Sequence, residues 1–143
     1  MITITTNGCF DIVHAGHVEM LRVAKSMGNY LVVGINSDDS VRRIKGIGHP
    51  LVPQKYRAEL VASIRYVDQV HIFNEDDPTE FLKFIRPNIH VKSNEYEYMD
   101  IPEKILSTEL GFELVFVPRY YDLSTTSILT NYFSLPEIRN SYL

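Results

Sequence analysis

The chain has 143 residues, 45% of them hydrophobic, and a formal net charge of −4 at pH 7. That length suits one domain with a real core, and the acidic balance argues against nucleic acid as a partner. With Cys9 the only cysteine, an intrachain disulfide is excluded and a reducing compartment fits. The first residues lack the charged-then-apolar pattern of a signal peptide, and no stretch approaches about 18 apolar residues, so a soluble cytoplasmic protein without a membrane span is expected.

Ile and Thr alternate from Ile2 to Thr6, which predicts a strand. Asn7 to Asp11 is turn-prone. Apolar residues at Val18, Leu21, Ala24 and Met27 follow a helical spacing from about His17, and Gly28-Asn29 stops it. Tyr30 to Ile35 is a continuous apolar run, as in a strand buried on both faces. Asn36-Ser37-Asp38 caps a short helix through Arg43. Lys45 to Pro53 holds two glycines and two prolines and reads as a loop. Gln54 to Arg65 reads as a helix, Val67 to Phe73 as a strand, and Asp77-Pro78 opens a helix running to about Ile85. Ile89 to Val91 is a short strand, Ile101 to Leu110 a helix stopped at Gly111, and Glu113 to Val117 a strand. Ser124 begins a last helix, and the polar tail from about 134 to 143 shows no clear element.

Strands alternating with helices predict an α/β, Rossmann-like single domain with a core over about 2–133. Its sheet is mostly parallel and five-stranded, with helices on both faces. Ligands on such sheets sit beyond the carboxyl ends of strands where the strand order reverses. The loop after the first strand is therefore the first place to look for chemistry, and it holds Gly8, Asp11, His14, Gly16 and His17.

Two histidines three residues apart at a helix start project to one side. The helix amino terminus adds unpaired N–H groups and partial positive charge, and the glycines let backbone approach a ligand. Together these favour a polyphosphate. A zinc site is the competing reading, with Asp11 or Cys9 as third ligand, but no other His or Cys stands at ligand spacing. The segment from His14 to Arg57 is richer in cations than in anions, whereas Asp68 to Glu113 is strongly acidic. Differently charged solvated faces or a gathering of cations around an anion would each produce that contrast. No Gly-Lys-Ser/Thr P-loop and no Gly-x-Gly-x-x-Gly occurs.

The run Asn7-Gly8-Cys9-Phe10-Asp11-Ile12-Val13-His14-Ala15-Gly16-His17 resembles the signature of the cytidylyltransferase-like, or His-x-Gly-His, nucleotidyltransferases. Ser124-Thr125-Thr126-Ser127-Ile128 resembles that superfamily's second signature. Within the superfamily, Asn36 to Asp38, Val41 to Gly46, Pro50 to Pro53, Arg57 and Val91 to Tyr96 resemble the heptose 1-phosphate adenylyltransferase domain. Ile64 to Asp68 and Pro118-Arg119 look more like glycerol-3-phosphate cytidylyltransferase. The longer agreements favour the heptose type. The chain departs from that type in carrying Ser93-Asn94 for a Gly-Gly pair, Glu95 for an Asp and His49 for an arginine, and in lacking a glycine around Tyr121-Asp122-Leu123.

The resemblance implies transfer of AMP from ATP to a sugar 1-phosphate, with a CTP-dependent reaction on glycerol 3-phosphate as the alternative and a non-catalytic nucleotide-binding module as a third reading. It implies His14, His17 and Lys45 as catalytic residues. Gly8, Cys9, Phe10, Asp11, Gly16, Arg57, Ser124, Thr125 and Thr126 would bind nucleotide, with Cys9 contributing backbone rather than thiol. Asp11 would orient a histidine or add to Mg²⁺ binding. For Arg57 the alternative is a surface helix arginine. Asn36, Lys92 and Arg119 are candidates for acceptor or base contacts. Mg²⁺ is expected mainly through the nucleotide phosphates. Related enzymes often form homodimers, and one edge of such a sheet is free to do so.

Overall fold

The computed structural model describes residues 1–134, with the side chains of all of these except Asp122 and Phe133; the tail read from the sequence beyond Ser134 lies outside the described residues. The elements are β1 (Thr3–Gly8), α1 (Ala15–Ser26), β2 (Tyr30–Asn36), α2 (Asp38–Lys45), α3 (Gln54–Ala62), β3 (Gln69–Phe73), α4 (Thr79–Ile85), β4 (Ile89–Ser93), α5 (Pro102–Leu110), β5 (Glu113–Val117) and α6 (Thr125–Ser134). Two short 3-10 turns, Asn94–Tyr96 and Tyr120–Asp122, follow β4 and β5 and have no counterpart in the reading of the sequence.

The five strands form one parallel sheet in the order β3-β2-β1-β4-β5. The chain steps outward from β1 to β3, crosses back to β4, and continues to β5. With right-handed crossovers, the first helices lie on one face and α4 and α5 on the other. The packing agrees. Leu31, Val33 and Ile35 of β2 join Leu21 and Ala24 of α1 and Val61 of α3 in one cluster. Val32 of the same strand joins Phe81 and Leu82 of α4 and Leu106 of α5 in the other. A strand apolar on both faces is what a central parallel strand requires. Gly34 interrupts it because a Cβ there would lie 2.8 Å from the Phe81 ring.

Local signals set most boundaries. Ser37 caps α2 by accepting from Ser40 N–H at 3.1 Å. Pro102 sits in the first turn of α5, and Gly111 ends it in the left-handed conformation, φ 77°. α3 is shorter than the apolar spacing suggested: it ends at Ala62, and Ile64 packs onto the core from the turn that follows, as does Val67, which was read as the start of a strand that begins at Gln69. Burial of those side chains does not need helical backbone, so spacing alone overextended the helix.

β1 and β4 lie side by side, and their order reversal opens a crevice at the carboxyl ends. Below it the fully buried His90 of β4 shares a 2.7 Å hydrogen bond through Nδ1 with Thr5 Oγ1 of β1, and its Nε2 is buried without a hydrogen-bond partner among the described residues. Burial, followed by the nearby Lys92, pushes its pKa down from 6.5 to about 3. The unfolded chain therefore binds a proton between these values that the folded chain refuses. The stability that His90 contributes is complete above pH 6.5 and is lost as pH falls toward about 3. Urea midpoints should drop between pH 7 and pH 5, and His90→Asn, which does not titrate, should show a shallower drop.

Candidate active site

The amino terminus of α1 is capped by two imidazoles. His14, in extended conformation (φ −137°, ψ 176°), accepts through Nδ1 from Gly16 N–H at 3.1 Å. His17 accepts through its own Nδ1 from His14 N–H at 3.2 Å. This is a reciprocal cap, built with histidines in the places that Ser/Thr and Glu/Gln usually hold. The rings stack with centroids 3.8 Å apart, and Phe10 packs on His17 at 5.0 Å. Gly16 is required here: a Cβ would lie 2.8 Å from the Tyr120 carbonyl oxygen and 3.0 Å from the His14 ring.

Using Nδ1 as acceptor sets the tautomer, because a neutral imidazole then carries its proton on Nε2. The surroundings keep both rings neutral. Burial, then the neighbouring His14 and Lys45, holds His17 at about 4; burial, then Arg119, lowers His14. Two Nε2–H donors are thus held beside the positive end of α1.

The second helix start lies against the first. Ser124 Oγ accepts from Ser127 N–H at 3.0 Å, Ser127 Oγ accepts from Ser124 N–H at 3.0 Å, and Thr125 Oγ1 donates to the Ile12 carbonyl at 3.4 Å. Both ends open on a cleft of about 580 Å³. It collects Gly8, Cys9, Phe10, Asp11, His14, Gly16 and His17 from the β1 side, Asn36 and Lys45 from the β2 side, and Lys92, Arg119, Ser124, Thr125 and Thr126 from the β4–β5 side. Lys45 is exposed at the end of α2, before Gly46 and Gly48, both at positive φ. Burial raises the Cys9 thiol above its usual value, keeping it protonated.

Among the residues singled out from the sequence, Arg57 is not brought into the cleft. It is 1% exposed and neither a surface helix arginine nor a lining residue. Its Nε donates to Val52 O at 2.8 Å, Nη1 to Cys9 O at 2.6 Å and Asn36 O at 2.8 Å, and Nη2 to Asp38 Oδ1 at 2.9 Å. The expected nucleotide contact is corrected to a clamp beneath the site, because these acceptors leave the guanidinium engaged with the protein. Asp11 is also buried, 4% exposed, and accepts from Leu51 N–H and Val52 N–H at 2.9 Å. It thereby anchors the glycine–proline loop, with the His49 ring 3.8 Å away, and makes no hydrogen bond to His14 or His17 among the described residues. Asn36 is 5% exposed and donates to Ser40 Oγ at 3.0 Å.

Lys92 is pinned rather than free. Its Nζ lies 3.1 Å from Glu103 Oε2 and 4.4 Å above the Tyr96 ring. Glu95, Tyr96 and Glu103 also line the cleft, although no role was assigned to them from the sequence. The signals available were the resemblance of Val91 to Tyr96 to the heptose type, which covers Glu95 and Tyr96, and the place of all three, immediately after a strand end or in the first turn of a helix. Among the described residues, no group of three His, Cys, Asp or Glu side chains converges as a metal-ligand set.

Two outcomes follow from this geometry. Arg57→Ala should destabilise the fold by on the order of 3 kcal/mol, since it leaves buried carbonyls and Asp38 unpaired. Arg57→Lys should recover only part of that, because an ammonium cannot serve this fork; chemical denaturation checks both. NMR of the imidazole nitrogens at pH 7 should show His14 and His17 neutral with the proton on Nε2. Signals from imidazolium rings at that pH would contradict the cap.

The comparisons with known proteins agree with this architecture. The cytidylyltransferase-like family model matches residues 5–131. "Bifunctional protein HldE" of a Nitratiruptor species is 44% identical over 124 residues, 87% of this chain and 26% of that protein. The protein of the same name from Streptomyces coelicolor is 41% identical over 126 residues, 88% of this chain and 27% of that one. The chain thus spans about a quarter of the length of these curated relatives. A lipopolysaccharide core biosynthesis protein from Thermoplasma volcanium superimposes with a TM-score of 0.72 at 25% identity, covering 84% of this chain and 98% of that one. Pantothenate synthetase from Thermus thermophilus shares the fold, with a TM-score of 0.62 at 15% identity over 98% of this chain and 64% of that one. A histidine-capped α1 and a serine-capped α6 meeting at the switch point of a β3-β2-β1-β4-β5 sheet, within a match from residue 5 to residue 131, show that this chain is a nucleotidyltransferase belonging to the cytidylyltransferase-like family.

Proposed function

We propose that the chain transfers AMP from ATP to a sugar 1-phosphate of the heptose type, giving an ADP-sugar and pyrophosphate. The observation that carries the transfer reading is the meeting of two helix amino termini with two neutral histidines in one cleft. Support for the heptose type comes from the segments Asn36 to Asp38, Val41 to Gly46 and Pro50 to Pro53, and from relatives that carry the name bifunctional protein HldE. The likeness to the lipopolysaccharide core biosynthesis protein of Thermoplasma volcanium points the same way.

In this reading an oxygen of the acceptor phosphate attacks the α-phosphorus of ATP. The bond from that phosphorus to the bridging oxygen breaks in line, and pyrophosphate leaves with the bond's electron pair. The acceptor oxygen is already ionised, so no general base is needed. The protein must hold two anions together and stabilise charge on the transferred group. His14 and His17 donate from Nε2 to the phosphates, and the helix start they cap adds its own N–H groups. Lys45, exposed at the end of α2, neutralises the triphosphate. Ser124, Thr125 and Thr126 offer the second helix start. Mg²⁺ enters with ATP and is held chiefly by the phosphates.

Pyrophosphate release should be seen with ATP, Mg²⁺ and heptose 1-phosphate, and should be much weaker with CTP and glycerol 3-phosphate. His14→Ala and His17→Ala should each lower kcat about a hundredfold, roughly 3 kcal/mol. Release with CTP and glycerol 3-phosphate in preference would replace the substrates and keep the reaction. Nucleotide binding without release from any pair would favour a non-catalytic binding module.

A further inference from the structure

We propose that Glu95 sets the affinity of the cleft for polyphosphate by holding Arg119 in an ion pair that the incoming anion must displace. This rests on the reading of the cleft as a polyphosphate site.

Glu95 stands in the 3-10 turn after β4, and Arg119 follows β5 directly. Their side chains meet on the β4–β5 wall of the cleft, Arg119 Nη2 donating to Glu95 Oε2 at 2.9 Å, and both line it. The two side chains are 49% and 47% exposed. This is the only hydrogen bond that the Arg119 guanidinium makes to the protein among the described residues, whereas Arg57 makes four. Arg119 therefore keeps donors for a ligand. It is also near enough to the histidine cap for its charge to lower the His14 pKa. The other cation on this side, Lys92, is already matched by the buried Glu103.

The chemistry of exchange follows. A phosphate accepts from a guanidinium through two parallel bonds and outcompetes a single contact to a half-exposed carboxylate. Until the exchange occurs, the Glu95 charge offsets Arg119 and repels the polyanion. An exposed pair is weak, so the exchange costs a few-fold in affinity and not orders of magnitude. The cleft thus carries a counter-anion that lowers its affinity for polyphosphate.

The test is a double-mutant cycle on the full chain: Glu95→Gln, Arg119→Ala and both together, titrated with inorganic tripolyphosphate and with ATP by calorimetry at low and high salt. Glu95→Gln should tighten both ligands by about two- to fivefold at low salt, and by less at high salt. The gain should vanish when Arg119 is absent. Unchanged or weaker binding in Glu95→Gln would overturn the proposal, as would a gain that persists without Arg119. Loss of ATP affinity alone, with tripolyphosphate unaffected, would instead make Glu95 a contact to the nucleoside and also overturn it. A wild-type chain that fails to bind tripolyphosphate does the same. The titrations need neither acceptor nor turnover. A protein that shows this cycle and releases no pyrophosphate would therefore refute only the transferase reading.

Discussion

The cleft depends on the buried guanidinium of Arg57. One side chain from α3 reaches the loop after β1 through Cys9 O, the end of β2 through Asn36 O, the start of α2 through Asp38 and the approach to α3 through Val52 O. Cys9 belongs to the β1–β2 crossover and the other three acceptors to the end of β2 and the β2–β3 crossover, so the guanidinium ties the two crossovers together. The planar fork of an arginine can satisfy several acceptors in fixed directions at once. Burying its charge is tolerable because a carboxylate and three carbonyls surround it. Asp11 completes the arrangement by tying the glycine–proline loop to the same floor. The residues that face the ligand are therefore held by residues that do not.

The same economy appears at α1. An ordinary helix start leaves several N–H groups without partners. Here two of them are answered by imidazole Nδ1 atoms, so the bonds that stop the helix from fraying also orient the rings and choose their tautomer. Burial keeps the rings neutral, and a neutral ring donates through one nitrogen only. Structure and chemistry at His14 and His17 are accordingly inseparable: a proton on either Nδ1 would remove a cap bond as well as change the charge of the site.

The cleft is electrically uneven. Its β1 floor presents the start of α1 and neutral donors, and Lys45 lines it from the exposed end of α2. Its β4–β5 wall holds cations that are already matched, Lys92 by Glu103 and Arg119 by Glu95. The contrast seen along the chain, cationic before Arg57 and acidic after Asp68, is thus partly resolved inside the site. Two of the acidic residues from the second half, Glu95 and Glu103, serve as partners to cations that line the cleft.

What the sequence determined was the kind of fold and the location of the chemistry. Apolar periodicity, Ser37, Pro102 and Gly111 defined most elements, since those signals act over a few residues and do not need the rest of the molecule. The strand-loop-helix run from Asn7 to His17 and the Ser-Thr-Thr run marked two helix starts, and local backbone chemistry suffices for that. Tertiary structure decided what distant side chains do. Whether Arg57 meets a ligand or four protein acceptors depends on loops that lie 5 to 48 residues away along the chain. Whether Asp11 serves a histidine or the loop at Leu51 depends in the same way on how the connection between α2 and α3 packs under β1, and whether Lys92 is free or paired depends on how α5 packs beside β4. Sequence spacing carries no information about such pairings, because they arise only when the sheet order brings separate strand ends to one crevice.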